Sequence, residues 1–361
     1  MIQEYRRTNQ MSNIKQNTCV NIDTQTANKR AWLRFKENKL AYISIFVIGF
    51  YMAIAILQPI LPIYKYYTQI VEHVDLPPSF RYAGELWYKK ELDFIKRLAK
   101  KENREINEEE KEKLEEIKRK IETEIQIING KETKIHKRIY LLGTDNLGRD
   151  LLSRIIQGSQ ISISIGFIGA LISMLIGSII GATAGFFGGI IDRIITKITE
   201  VLYSLPNLLV IITLMTIMER NIIGLFIAIS IISWLTISRI VRGQVKTLSQ
   251  SEFIEAARTL GATNRRMIFK HLIPNSFGMI VIITTMNVPS FIILESFLSF
   301  LGLGISAPMT SWGELIKNGI PTFIEYPWKI FIPASIMTIF LLFMNFLGDG
   351  LRDAFDPKDN L

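Results

Sequence analysis

From Ser159 to Ala184 the chain reads SQISISIGFIGALISMLIGSIIGATA, a run without a single charged residue. Wound as an α-helix, these residues reach about 39 Å, more than the roughly 30 Å hydrocarbon core of a bilayer. The stretch is therefore read as a membrane span. It also places Ser173, Gly177, Gly181 and, one residue past its end, Gly185 at every fourth position. Small residues at that spacing share a helix face and let two backbones approach closely where lipid offers no hydrophobic drive. The row predicts tight packing between spans without naming the partner helix.

Working outward, five further apolar runs of similar length are readable, near 41–62, 198–218, 222–240, 277–300 and 330–347. Six spans predict an all-α membrane protein. Pro206 followed by Asn207, and Pro289, interrupt the third and fifth spans, freeing carbonyls that either line a cavity or kink the helix. The 361 residues carry a net charge of +9. No recognition module accompanies that charge, so a nucleic-acid partner is not expected, and the excess fits short cytoplasmic segments facing membrane lipid. The lone Cys19 excludes an intrachain disulfide, and His73, His136 and His271 show no metal-ligand spacing.

Residues 1–40 hold eight Lys or Arg against three acids, which predicts a cytoplasmic N-terminal segment ahead of a retained first span at 41–63. Six spans return the tail, 349–361, to the same side. The segment from Arg239 to His271, with seven Lys or Arg against two Glu, then also falls in the cytoplasm. Between the first two spans lies a long loop, 64–158, expected on the outer side. Its residues 85–138 are dense in Lys and Glu, with Leu114, Ile117, Ile121, Ile125 and Ile128 on one helical face. Asn107 before Glu108, Glu109 and Glu110 is a capping-box signal, and Gly130 suits a stop. A shorter stripe runs from Leu86 to Leu98. Together they predict a small extracytoplasmic helical hairpin.

The segment that carries function is Glu255-Ala256-Ala257-Arg258-Thr259-Leu260-Gly261, followed by Pro274. A short amphipathic helix, ended by a glycine that permits a left-handed turn, can fit a groove on a soluble partner. Here the chain resembles the permease subunits of ABC importers, whose cytoplasmic loop has the pattern E-A-A, three residues, G, then a distant hydrophobic-x-hydrophobic-P. His271 stands at the first of those hydrophobic positions and Ile273 at the second. The run His271-Leu272-Ile273-Pro274-Asn275 is similar to the peptide-importer branch, in which a His is common there. Other segments agree: Leu142 to Asp150, Ser299-Phe300-Leu301-Gly302-Leu303-Gly304, Ser311-Trp312-Gly313, and Asn345 to Asp353. The resemblance covers 32–63 and 141–358, leaving the insert outside it.

The resemblance implies a type I ABC importer fold in a bacterial cytoplasmic (inner) membrane, with both termini cytoplasmic and a permease core at 159–348 whose coupling loop is 241–275. It implies the second of two unlike permease chains in a dipeptide or oligopeptide system, with nickel complexes or another small solute as the alternative cargo. Implied partners are a second homologous permease subunit, two cytoplasmic ATPase subunits, an extracytoplasmic peptide-binding protein and the peptide itself. ATP and magnesium belong to the ATPases, no cofactor to this chain. The coupling residues by this likeness are Glu255, Ala256, Ala257, Leu260, Gly261 and Pro274.

Gly143 to Asp150 opens like a phosphate-binding loop, G-x-x-x-x-G, yet continues with Arg149 and Asp150 where such a loop needs Lys and then Ser or Thr. An outer structural loop is the better reading. No H-E-x-x-H motif and no intramembrane Asp pair supports a hydrolase. A secondary transporter should show a relay of intramembrane acids, and only Glu200 and Glu295 lie in the spans. Glu295, about 27 Å along its helix from the inner end, either faces a substrate path together with Asn287 and Pro289 or takes donors from the loop behind it.

Overall fold

The computed structural model describes residues 27–61, 63–128, 131–218 and 221–355. A basic, aromatic helix α1 (Ala27–Glu37) leads into α2 (Lys39–Leu57), whose N-cap Asn38 accepts a hydrogen bond from the Ala41 amide. After the insert come α5 (Leu151–Phe187), the bent pair α6 (Gly189–Ser204) and α7 (Asn207–Ile217), α8 (Ile222–Leu248) and α9 (Glu252–Thr259). The chain closes with α10 (Phe277–Phe300), α11 (Trp312–Gly319) and α12 (Trp328–Phe355). Five of these helices are long and apolar enough to cross a membrane, and six spans result if the bent pair counts as one.

Two expected spans differ in extent or shape. The second, α5, is 37 residues long because it begins at the Asp150 N-cap, whose carboxylate accepts from the Ser153 amide. At about 1.5 Å per residue it projects well beyond a bilayer core. The third is no single helix: α6 and α7 meet at 82°. Pro206 lacks the amide that would continue α6, and the residue before a proline is pushed to extended backbone, as Leu205 is.

Glycines set the order of the bundle. A Cβ on Gly177 would meet Ile237, one on Gly181 the Ser238 carbonyl at 2.4 Å, and one on Gly185 the Arg242 carbonyl at 2.6 Å. Contacts that rise together in both helices mean that α5 and α8 run parallel, so the bent pair between them is the return crossing. Against α10 the order reverses, since Gly166 faces Val288 and Ile292 while Ala182 packs near Ile280. Helices α2 and α12 are likewise antiparallel, with Ala41 against Gly350 and the Tyr51 hydroxyl donating to the Ile336 carbonyl. Phe35 of α1 packs with Ala354, placing both described ends of the chain at one end of the bundle.

The insert sits at the opposite end. Helices α3 (Ala83–Lys101) and α4 (Glu108–Thr123) form the hairpin, and the Asn107–Glu110 capping box is present in full. Leu114 and Ile117 are buried as the stripe predicts, and Ile121 lies against Gly84. The stripe then fails. The helix stops at Thr123, and Gln126–Ile128 forms β1, paired antiparallel with β2 (Lys131–Thr133). The run of β-branched isoleucines from Ile125 favours extended backbone over a further helical turn. Gly130 lies outside the described residues. Buried Lys329, at the start of α12, pairs with Asp75 and ties the base of the insert to the bundle.

Candidate functional site

At the end of the bundle that holds the chain's described termini, α9 stands on an apolar base. Ile254 is fully buried with Met267 and Leu272 against Ala182, Ile237, Val241 and Val245. The rest of α9 is open: Glu252, Glu255, Ala256, Arg258 and Thr259 are exposed, Ala257 is half-buried, and Leu260 is 88% exposed. A leucine held that far into solvent by a single buried anchor covers nothing in its own chain.

The end of α9 is a Schellman turn. The Ala262 amide donates to the Ala257 carbonyl at 3.0 Å and the Gly261 amide to the Arg258 carbonyl at 3.0 Å. Gly261 has φ +79°, and a Cβ there would meet nothing within 4 Å. Its requirement for glycine is therefore one of backbone conformation alone. Beyond it the chain turns through Asn264–Arg266 into a π-helical turn, Met267–Leu272, and exposed Pro274 lies just past it. Thr263, Arg265, Arg266, Phe269, Lys270 and Pro274 line an open cleft beside α9. Five of the six expected coupling residues thus share one projecting element, and Pro274 borders the neighbouring cleft. Across the same end, Asp192 of α6 pairs with Arg242 of α8, a link that 50 residues of separation hid from sequence reading.

The second candidate cluster has a different character. Glu295 is fully buried in α10 and accepts from Ser162 Oγ at 3.0 Å and Ser299 Oγ at 2.7 Å. Ser311 Oγ is 3.2 Å from Ser299 Oγ. The Trp312 amide donates to Ser162 Oγ at 3.2 Å, and its indole to Ser159 Oγ at 3.1 Å. Trp312 itself is walled by Tyr51 and Phe340. Through these serines the Glu295 side chain links α5, α10 and the start of α11. Pro289 is also buried, and Asn287 is half-buried two helical turns from Glu295. Ser159 and Ser162 carried no sequence signal, and Ser299 and Ser311 stood in segments of the resemblance with nothing to link them to the acid.

The G-x-x-x-x-G loop has no room for phosphate. Asp145 Oδ1 accepts from the Leu147 and Arg149 amides at 2.9 and 3.0 Å. Its Oδ2 pairs with Arg149 at 2.8 Å and Arg154 at 2.9 Å. Both glycines have positive φ, and a Cβ on Gly148 would lie 1.8 Å from the Ile70 carbonyl. The glycines serve close approach to the segment that follows α2.

Residues 173–359 match the family described as binding-protein-dependent transport system inner membrane component, and 26–78 match the N-terminal transmembrane domain of oligopeptide transport permease C. The chain is 36% identical over 330 residues to the oligopeptide transport system permease protein OppC of Bacillus subtilis, covering 91% of this chain and 89% of that one. It is also 36% identical over 329 residues to the dipeptide transport system permease protein DppC of the same organism, covering 91% and 85%. Against OppC of Haemophilus influenzae the identity is 46% over 220 residues, 61% of this chain and 71% of that one. An inward-facing structure of the MetNI methionine ABC transporter aligns at TM-score 0.46 and 16% identity over 56% of this chain and 96% of its own. The chain belongs to the family of binding-protein-dependent transport system inner membrane components: it is a transmembrane permease subunit of an ABC importer, not an enzyme.

Proposed function

We propose that this chain forms half of the path for di- or oligopeptides in an ABC importer, beside a second, homologous permease subunit. In this reading two ATPase subunits hold the ATP and magnesium and dock on α9, while a peptide-binding protein delivers cargo at the insert end. The cargo is supported by relatives named for oligopeptide and dipeptide transport. The coupling role is carried by one observation: α9 is anchored through Ile254 while Leu260 and the Glu255-Ala256 face stand uncovered. Small side chains let a partner's groove close on the helix backbone, and Glu255 offers an acceptor to donors lining that groove. ATP would drive the cycle by binding differently to two states of the ATPases, the differential that any conformational coupling requires.

Orientation follows from charge. The basic segment containing α9 belongs in the cytoplasm with both termini, and the insert outside. The opposite placement of α9 and the insert along the bundle is consistent with that. In intact cells, a cysteine replacing Glu110 should react with a membrane-impermeant thiol reagent and one replacing Asn264 should not. Labelling of the Asn264 position alone would reverse the orientation and remove α9 from the ATPases. With all subunits reconstituted in vesicles, ATP-dependent uptake of a labelled oligopeptide tests the cargo, and ATP hydrolysis stimulated by the loaded binding protein without uptake would refute it.

A further inference from the structure

Two of the three histidines, His73 and His136, are buried side by side where the insert meets the bundle. His73 Nδ1 is 3.0 Å from the Tyr140 hydroxyl, and its Nε2 is 3.0 Å from His136 Nδ1. His136 Nε2 is in turn 3.1 Å from a Glu124 carboxylate oxygen. Trp87 of α3 stacks on His136 at 5.2 Å between ring centroids. These groups come from the turn after the first span, the end of α4, the turn after β2 and the segment leading to α5.

With both rings neutral, the hydrogens can be assigned in only one way. An ionised Glu124 accepts and cannot donate, so His136 Nε2 carries the hydrogen and its Nδ1 accepts. His73 must then donate from Nε2 and accept at Nδ1 from the Tyr140 O–H. The Tyr140 oxygen is already hydrogen-bonded by Arg138. Every donor points the same way, from Tyr140 toward the carboxylate.

A proton arriving on His73 can enter only at Nδ1, facing that same tyrosine oxygen. Tyr140 would then face two donors, while its own hydrogen lost its acceptor. We propose that the Tyr140–His73–His136–Glu124 chain is a pH-sensitive latch, which holds α4 and the β-hairpin onto the base of the insert at neutral pH and releases them in acid. Burial first, then repulsion from His136 whenever that ring also carries a proton, and from Arg138, push His73 down to about 3. The remaining neighbours offer His73 no counter-charge. Glu124 and Lys120 of α4 act at the far end with Gln126, Glu72 acts on Lys120, and Asp150 and Tyr64 bear on Tyr140.

The sign follows from proton linkage. The opened insert binds a proton near the ordinary histidine value of 6.5, whereas the closed one resists it down to about 3. The latch is therefore at full strength above 6.5, and the closed-to-open ratio falls about tenfold per pH unit between those values. The inference is independent of which solute is carried.

Hydrogen exchange of the assembled importer, corrected for intrinsic rates, tests it between pH 7.5 and 4.5. Protection at residues 115–123 and 135–138 should fall about tenfold per unit below pH 6.5, while the α5 and α8 amides around Gly177 and Ile237 hold theirs. His73→Gln should flatten the profile. If that variant does not accumulate, Arg138→Gln carries the test, because loss of the neighbouring cation must make the fall level off at a higher pH. Constant protection in the natural chain, a fall shared by the α5 and α8 seam, or an unaltered profile in the variant that does accumulate would overturn the latch.

Discussion

Glycine is used in opposite ways in the α5–α8 seam and at the end of α9. Along α5, Gly181 and Gly185 are there because the α8 backbone occupies the space a side chain would need. At Gly261, open space surrounds the position and only the positive φ excludes a side chain. The first region is complete within the chain. The second is a projection that its own chain leaves uncovered, and it is the element proposed to meet the ATPases. Substitutions that damage the first should lower stability, whereas those that damage the second should leave stability intact and remove coupling.

The largest loss is expected at Trp312, which is fully buried between α5, Tyr51 and Phe340. Trp312→Ala should lower the unfolding free energy by about 3 to 5 kcal/mol, read as an earlier thermal transition of the detergent-solubilised protein. Next comes Gly181→Ala, whose Cβ would sit 2.4 Å from the Ser238 carbonyl. Forcing α5 and α8 apart should cost about 1 to 3 kcal/mol. An unshifted transition would show that the seam is looser than described. Smaller again is Ser159→Ala, which leaves the buried Trp312 indole N–H without its acceptor. About 1 to 2 kcal/mol is expected there, and Ser159→Thr, which keeps a hydroxyl, should restore part of it.

The same contrast explains what could be read in the sequence. Apolar runs gave the spans because a bilayer imposes a length, and α10 runs from Phe277 to Phe300 as expected. The projecting element was also legible, since a helix followed by a left-handed glycine is a local pattern, and α9 with its Schellman turn needs only residues 252–262. Long-range pairings were not. Ser162 and Glu295 are 133 residues apart, and nothing in either neighbourhood marks the other. The isoleucine stripe misled past Thr123, where spacing still fitted a helix but β-branched side chains favoured the strand Gln126–Ile128. The 82° bend was half visible: Pro206 marked the break but could not give its angle.

The central claim is that α9 transmits the motion of the ATPases, and Gly261→Val with Ala257→Leu tests it most directly. A valine at Gly261 costs about 1 to 2 kcal/mol in the left-handed conformation and so displaces the end of α9. A leucine at Ala257 adds bulk on its half-buried side. Because neither touches the seam between α5 and α8, the thermal transition of the spans should stay where it is. ATP-driven peptide uptake should fall at least tenfold, or the ATPase subunits should cease to co-purify. If both variants keep full uptake and normal ATPase co-purification, α9 is not the coupling element.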